Sequence, residues 1–143
     1  MKKFYLAIII TTIFINQNIF ADKKFTKEEF QSATFLSKVA SKMNVNMPQF
    51  VDENTRIDNI QGFKKLLRFN YTLVHFKKST SKNIQIELDK NLKPLVKNSV
   101  CSTPRYSIFP QNGVYLTYVY SDMNGMYIGE FTIKPSDCGY SNN

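Results

Sequence analysis

Side chains able to do chemistry are sparse in this chain of 143 residues. His75 is its single histidine. As a general base it would need a nucleophile and an orienting carboxylate. Its neighbours Phe76, Lys77 and Lys78 supply neither, so a hydrogen-bonding role at a strand end is the simpler reading. Cys101 and Cys138 are the two cysteines. With one histidine they cannot complete a four-ligand zinc shell unless carboxylates join them, and no metal or other cofactor is expected. Asp52–Glu53 and Glu87/Asp89 are the close acidic pairs, and Asp122 and Asp137 fall at hairpin ends. A glycosidase needs two carboxyls flanking its substrate, but Asp122 belongs to a turn, and Glu87 and Asp89 lie off the apolar stripe of their helix. No Gly-x-Ser-x-Gly elbow, Gly-rich phosphate loop or His-Glu-x-x-His helix is present. The expectation is a protein that is not an enzyme.

Aromatic residues are the one functional enrichment. Tyr115, Tyr118, Tyr120, Tyr127, Phe131 and Tyr140 crowd the C-terminal end. Tyr118 and Tyr120 alternate in step with Leu116 and read as core, whereas Tyr115 points to the opposite face. Tyr127 shares a strand face with Phe131, and the side that face takes depends on register. If they are exposed near lysines, Tyr115, Tyr127 and Tyr140 would suit a partner-binding patch.

The compartment follows from the first residues. Lys2 and Lys3 precede an apolar run from Phe4 to Ile15, Asn16-Gln17-Asn18 ends it, and Ala21 is a small residue suited to a cleavage site. This is the layout of a secretory signal, and the run is shorter than the roughly 20 apolar residues of a membrane span. Residues 1–21 are therefore expected to be a signal peptide cut after Ala21, and residues 22–143 one periplasmic or secreted domain. Ile19 departs from the small-x-small pattern, which leaves an uncleaved anchor as the alternative. In an oxidising compartment an even pair of cysteines reads as one bridge, Cys101–Cys138. The formal net charge of +8 would raise nucleic acid as a partner, but export and the scatter of the lysines argue against it. A protein or an anionic envelope component, such as lipid headgroups or a polyanionic wall polymer, fits the charge better.

Positioning these residues requires few elements. Thr26 with Glu29 forms a capping box, and Phe30, Ala33, Leu36, Val39, Ala40 and Met43 recur at helical spacing, so one helix is expected to reach Met43. Residues 55–61 are β-capable, with a turn at Gly62-Phe63. Leu67, Phe69, Tyr71 and Leu73 alternate with polar residues, as in a half-buried strand. Ile84, Leu88, Leu92, Leu95, Val96 and Val100 mark a second helix that Pro94 kinks or splits, and Thr103-Pro104 could open a short helical turn. Val114 to Ser121, the turn Asp122-Met123-Asn124-Gly125, and Tyr127 to Ile133 read as a hairpin. The order α-β-β-α-β-β predicts an α+β fold of two layers. Its four-stranded antiparallel sheet comes from two hairpins, with the helices on one face.

Cys101, Gly113-Val114, Tyr118-Val119-Tyr120-Ser121-Asp122-Met123-Asn124-Gly125, Ile128, Phe131-Thr132-Ile133 and Asp137-Cys138 together resemble a loosely defined group of small, exported, uncharacterised bacterial proteins. In that group a Tyr-x-Asp-x-x-Gly hairpin is bracketed by two cysteines. The resemblance spans about Pro48 to Cys138 and implies a fold and an envelope location, with no activity and no catalytic residues. The expected function is a non-enzymatic exported protein that binds a protein or envelope partner, of accessory-factor or inhibitor/immunity type. A small wall-directed hydrolase and a secreted effector are the alternatives.

Overall fold

The computed structural model describes residues 24–79 and 83–142. The expected signal segment, residues 1–21, and its expected cut after Ala21 lie outside the described residues.

Thr26 caps α1 (Lys27–Gln31): its hydroxyl accepts from the Glu29 amide, and the Glu29 carboxylate accepts from the Thr26 amide. The single helix expected through Met43 breaks at Ser32, which takes an extended conformation and caps α2 (Ala33–Asn44) by accepting from Phe35 N–H. The apolar stripe continues across the break, so hydrophobic spacing could not reveal it. The interruption comes from a small polar residue that offers the backbone a local alternative to the helix.

Five strands follow, in the spatial order β1-β2-β3-β4-β5: β1 (Gln49–Asp52), β2 (Thr55–Phe63), β3 (Leu66–Leu73), β4 (Tyr115–Ser121) and β5 (Tyr127–Ile133). Two expectations are corrected here. β1 is an additional, four-residue edge strand, too short for an alternation to be visible. β3 and β4 pair in parallel, Leu67 beside Leu116 and Tyr71 beside Tyr120, so the sheet is mixed. The cause is the helical crossover between them, which returns the chain to the end of the sheet where β3 began. That crossover comprises α3 (Ile84–Glu87), a π-helical stretch (Leu88–Leu92), α4 (Lys93–Ser102) and α5 (Pro104–Gln111). The π stretch ends at Leu92, two residues before Pro94, which has no amide to donate and sits in the first turn of α4.

Gly62 lies inside β2, and the tight turn comes two residues later, at Lys64–Lys65, with Lys65 at φ 60°. Gly62 is needed for packing. A Cβ there would come within 2.1 Å of the Leu36 carbonyl oxygen, because the α2 backbone rests on the strand. Gly129 serves the same end on β5, where a Cβ would meet Gln85 and Leu88 at 2.8 Å. Gly62 pairs with Leu67, and Gly129 pairs with Tyr120. Both helical walls therefore pack on the sheet face that carries Leu67, Phe69, Tyr71, Leu116, Tyr118, Tyr120 and Phe131. The core lies on that side: Leu36, Val39, Ile60, Leu67, Leu116 and Ile133 are almost wholly buried.

Candidate functional site

Cys101 and Cys138 form the disulfide, with Cα atoms 5.2 Å apart. The bond ties the last turn of α4 to the 3-10 turn Pro135–Cys138 that follows β5. The acidic residues are spread over turns and helix surfaces. Asp122 and Asp137 are turn caps: Asp122 accepts from the amides of Lys78, Asn124 and Met126, and Asp137 from that of Lys134. Those amides hold the Asp122 carboxyl below its ordinary value, led by the Lys78 bond. Glu87 and Asp89 are exposed and accept from Asn91 and Gln85 on the same helical stretch. Asp52 accepts from the Asn54 amide in the β1–β2 turn. His75 lies in an exposed turn after β3. Among the described residues, no group of three metal-capable side chains comes together.

The helix side of the sheet carries a run of stacked rings. Phe69, Tyr118 and Phe131 sit side by side on β3, β4 and β5, with centroids 5.1 Å apart at each step. Tyr71 stacks on Tyr120 at 5.1 Å in the next row. In-register aromatic pairs on adjacent strands are among the more stabilising cross-strand neighbours. α2 stands over β2, and the α3–α4 stretch stands over β5. Three inter-strand steps separate those strands by about 14 Å, whereas packed helices lie about 8–10 Å apart. α5 packs on β4 between the walls, and beneath them Phe69, Tyr118, Tyr120 and Phe131 are buried core rings while Tyr71 stays half-buried. Phe30 of α1 meets Phe109 of α5, both buried, with centroids 5.7 Å apart. Tyr71 and Tyr106 are half-buried. The hydroxyls of Tyr71, Tyr118 and Tyr120 make no hydrogen bond among the described residues, yet none is a buried orphan. Burial pushes all three phenols well above their ordinary value, so they remain neutral hydrogen-bonding groups throughout the physiological range.

The opposite face carries Tyr115 and Tyr127. Tyr115 pairs with Leu66. A register shift between Tyr120 and Ser121 sets Tyr127 beside Ser121, so Tyr127 leaves the side of Phe131 and joins that of Tyr115. The strand alternation had placed Tyr127 with Phe131; a bulge is invisible to a period-two pattern. Tyr127 is 51% exposed and Tyr115 half-buried. Tyr140 is separate, half-buried just beyond the 3-10 turn that packs on α4 and α5. Between Tyr115 and Tyr127 the face is polar. Asn70 donates to Asn59 at 2.8 Å and to Gln61 at 3.2 Å, and the hydroxyls of Thr117 and Thr132 meet at 2.8 Å. Arg68, flanked by Gln61 and Thr117, has a buried Nε with no hydrogen-bond partner among the described residues. In the sequence Arg68 is one polar member of an alternating strand, and nothing there marks it out. Tyr71 likewise reads only as one of that strand's buried residues.

No family model and no curated protein matches the chain. Solved structures share its fold. A candidate secreted protein from Pseudomonas aeruginosa superposes with a TM-score of 0.64 at 17% identity, over 81% of this chain and 99% of that one. EpsS, the pilotin of the Vibrio vulnificus type 2 secretion system, does so with a TM-score of 0.61 at 13% identity, over 80% and 97%. AspS, the type II secretion system pilotin of Vibrio cholerae, gives 0.56 at 10% identity, over 78% and 95%. At these identities the likeness is one of fold.

Proposed function

We propose that this chain is an exported, non-enzymatic envelope protein that binds a segment of a partner protein at the half-buried edge of the aromatic row on the helix side of its sheet, as an accessory factor of a secretion or envelope machine. The aromatic row Phe69–Tyr118–Phe131, with Tyr71 and Tyr120 beside it, carries the reading. Most of the row is buried; what it presents to a partner is the half-buried Tyr71 ring and phenol hydroxyls that make no hydrogen bond among the described residues, a mixture of apolar surface and hydrogen bonding found at interface anchors. Its fold is shared with two pilotins of type II secretion systems and a candidate secreted protein, which supports an envelope role of this kind. The acids favour binding over hydrolysis, since Asp122 and Asp137 are consumed in capping turns and Glu87 and Asp89 lie exposed on a helix.

Affinity capture from a cross-linked envelope fraction tests this reading. The wild type should retain a stoichiometric protein partner, and Tyr71→Ala, at the half-buried edge of the row, should lose it while keeping a cooperative unfolding transition. Capture that Tyr71→Ala leaves unchanged would sink this edge as the binding site.

A further inference from the structure

We infer that the sheet face opposite the helices binds an acidic glycan, with Arg68 holding a sugar carboxylate. This site does not rest on the partner-binding reading, because the two occupy opposite faces of the sheet.

The anomaly is Arg68 itself. A guanidinium N–H shielded from water without an acceptor is a standing cost, and such a group in a folded protein calls for an explanation. The carboxylates of this face do not relieve it. Asp58 is committed to Arg56 and Thr72. Glu130 stands two strands across and two residues along, about 12 Å away from backbone to backbone. Arg68 makes no ion pair among the described residues.

The surroundings specify the kind of anion. Gln61 and Asn59 spend their side-chain oxygens on Asn70, which leaves their amide N–H groups as available donors. The hydroxyls of Thr117 and Thr132 bond to each other, so one of them keeps a proton to donate. Tyr115 and Tyr127 stand at the two ends, about 20 Å apart along the strands, with a ring surface at each. Polar donors between two aromatic faces suit a short chain of pyranose rings, with the sugar carboxylate at Arg68 and away from the exposed Glu130, which shares this face nearer Tyr127. The guanidinium meets a carboxylate through two parallel N–H···O bonds, a geometry a lysine cannot reproduce. The cations here, Arg68 and the Lys78 ammonium on the Tyr127 carbonyl, are too few for nucleic acid, which is held through many phosphate contacts.

Titration of the disulfide-bonded protein with tetragalacturonate, followed by amide NMR shifts and calorimetry, tests the assignment. Saturable shifts are expected around residues 59–61, 68–70, 115–119 and 127–132, weakening as salt is raised. Arg68→Gln should weaken binding about tenfold or more, a change equivalent to one bidentate charge-assisted contact, and Arg68→Lys should recover part of the loss. Tyr127→Ala should weaken it several-fold, and Lys97→Gln, which removes one charge from an exposed site on α4, should leave it unchanged. A thermal melt of each variant checks that it is folded. The assignment is overturned by absence of saturable binding, by an Arg68→Gln affinity within twofold of the wild type, or by equal affinity for neutral chitotetraose. Inorganic phosphate binding as tightly as the tetramer would reduce the site to a simple anion contact and also overturn it.

Discussion

Asn44, the last residue of α2, exchanges two hydrogen bonds with Ile60 of β2: its amide donates to the Ile60 carbonyl at 2.7 Å, and its oxygen accepts from the Ile60 N–H at 2.7 Å. Pairing with β1 runs only as far as Ile57, so a helix side chain completes the edge beyond it. Gln85 does the same for Glu130 on β5, at 2.7 and 3.0 Å. The two sites differ in burial, and the cost of losing each should differ with it. Asn44→Ala should cost about 2–4 kcal/mol in urea unfolding, because it strands a donor and an acceptor in a part-buried interface. Gln85→Ala should cost less than about 1 kcal/mol, since water can reach the exposed Glu130 backbone. Equal losses would contradict this assignment.

Gly62→Ala is expected to be the most damaging small substitution in the sheet. Its new methyl would meet the Leu36 carbonyl oxygen, carbon and the Ser37 nitrogen, all within 2.5 Å and all backbone. Relief requires moving α2 bodily, at a cost of about 3 kcal/mol or more. Gly129→Ala meets only the ends of the Gln85 and Leu88 side chains, which can rotate away. Thermal midpoints should therefore fall much further for Gly62→Ala than for Gly129→Ala.

These contacts also show what the sequence could disclose. The alternation of Leu67, Phe69 and Tyr71 and the turn at Asp122–Gly125 are local, and they read correctly as strand and hairpin. So did the two cysteines, and the capping box at Thr26. Gly62 looked like a turn residue because its real reason is a helix backbone 26 residues earlier in the chain. The parallel β3–β4 pairing, the Tyr127 bulge and the isolation of Arg68 are likewise facts about neighbours across strands. A single-chain pattern carries no register, so the candidate faces could not be sorted before the strands were paired.

Asp122 predicts how stability should fall in acid. Its carboxylate gathers three backbone N–H groups, joining residue 78 after β3 to the β4–β5 turn. These bonds favour the charged form and lower its pKa below the ordinary value of 3.8. A depressed carboxyl pKa adds stability that is complete above the unfolded-state value and is lost as pH falls through the folded one. Unfolding free energy should therefore drop below about pH 4. Asp122→Asn puts an amide where an acceptor is needed, so it should be less stable at pH 7 and show a flatter slope below pH 4. An unchanged slope would show that Asp122 does not contribute to the acid limb.

The Cys101–Cys138 bond acts on the part of the fold that the hairpin alone cannot hold. The cysteines are 37 residues apart, and α5, β4 and β5 all lie between them. Closing a loop of that size removes unfolded-chain entropy equivalent to about 3–4 kcal/mol on the chain-entropy estimate. In the native state the bridge holds the 3-10 turn against α4, where Asp137 already caps its own turn through the Lys134 amide. Little native strain or rearrangement should follow its removal, and the loss should appear mainly as a shift of the unfolding equilibrium. Cys101→Ser should lower the urea midpoint by the equivalent of that energy with the folded spectrum retained, make the chain more sensitive to protease, and leave Cys138 open to alkylation. Reduction of the wild type should reproduce the same midpoint. A variant that matches the oxidised wild type in stability would show that the helix and sheet contacts around residues 135–138 suffice without the covalent tie.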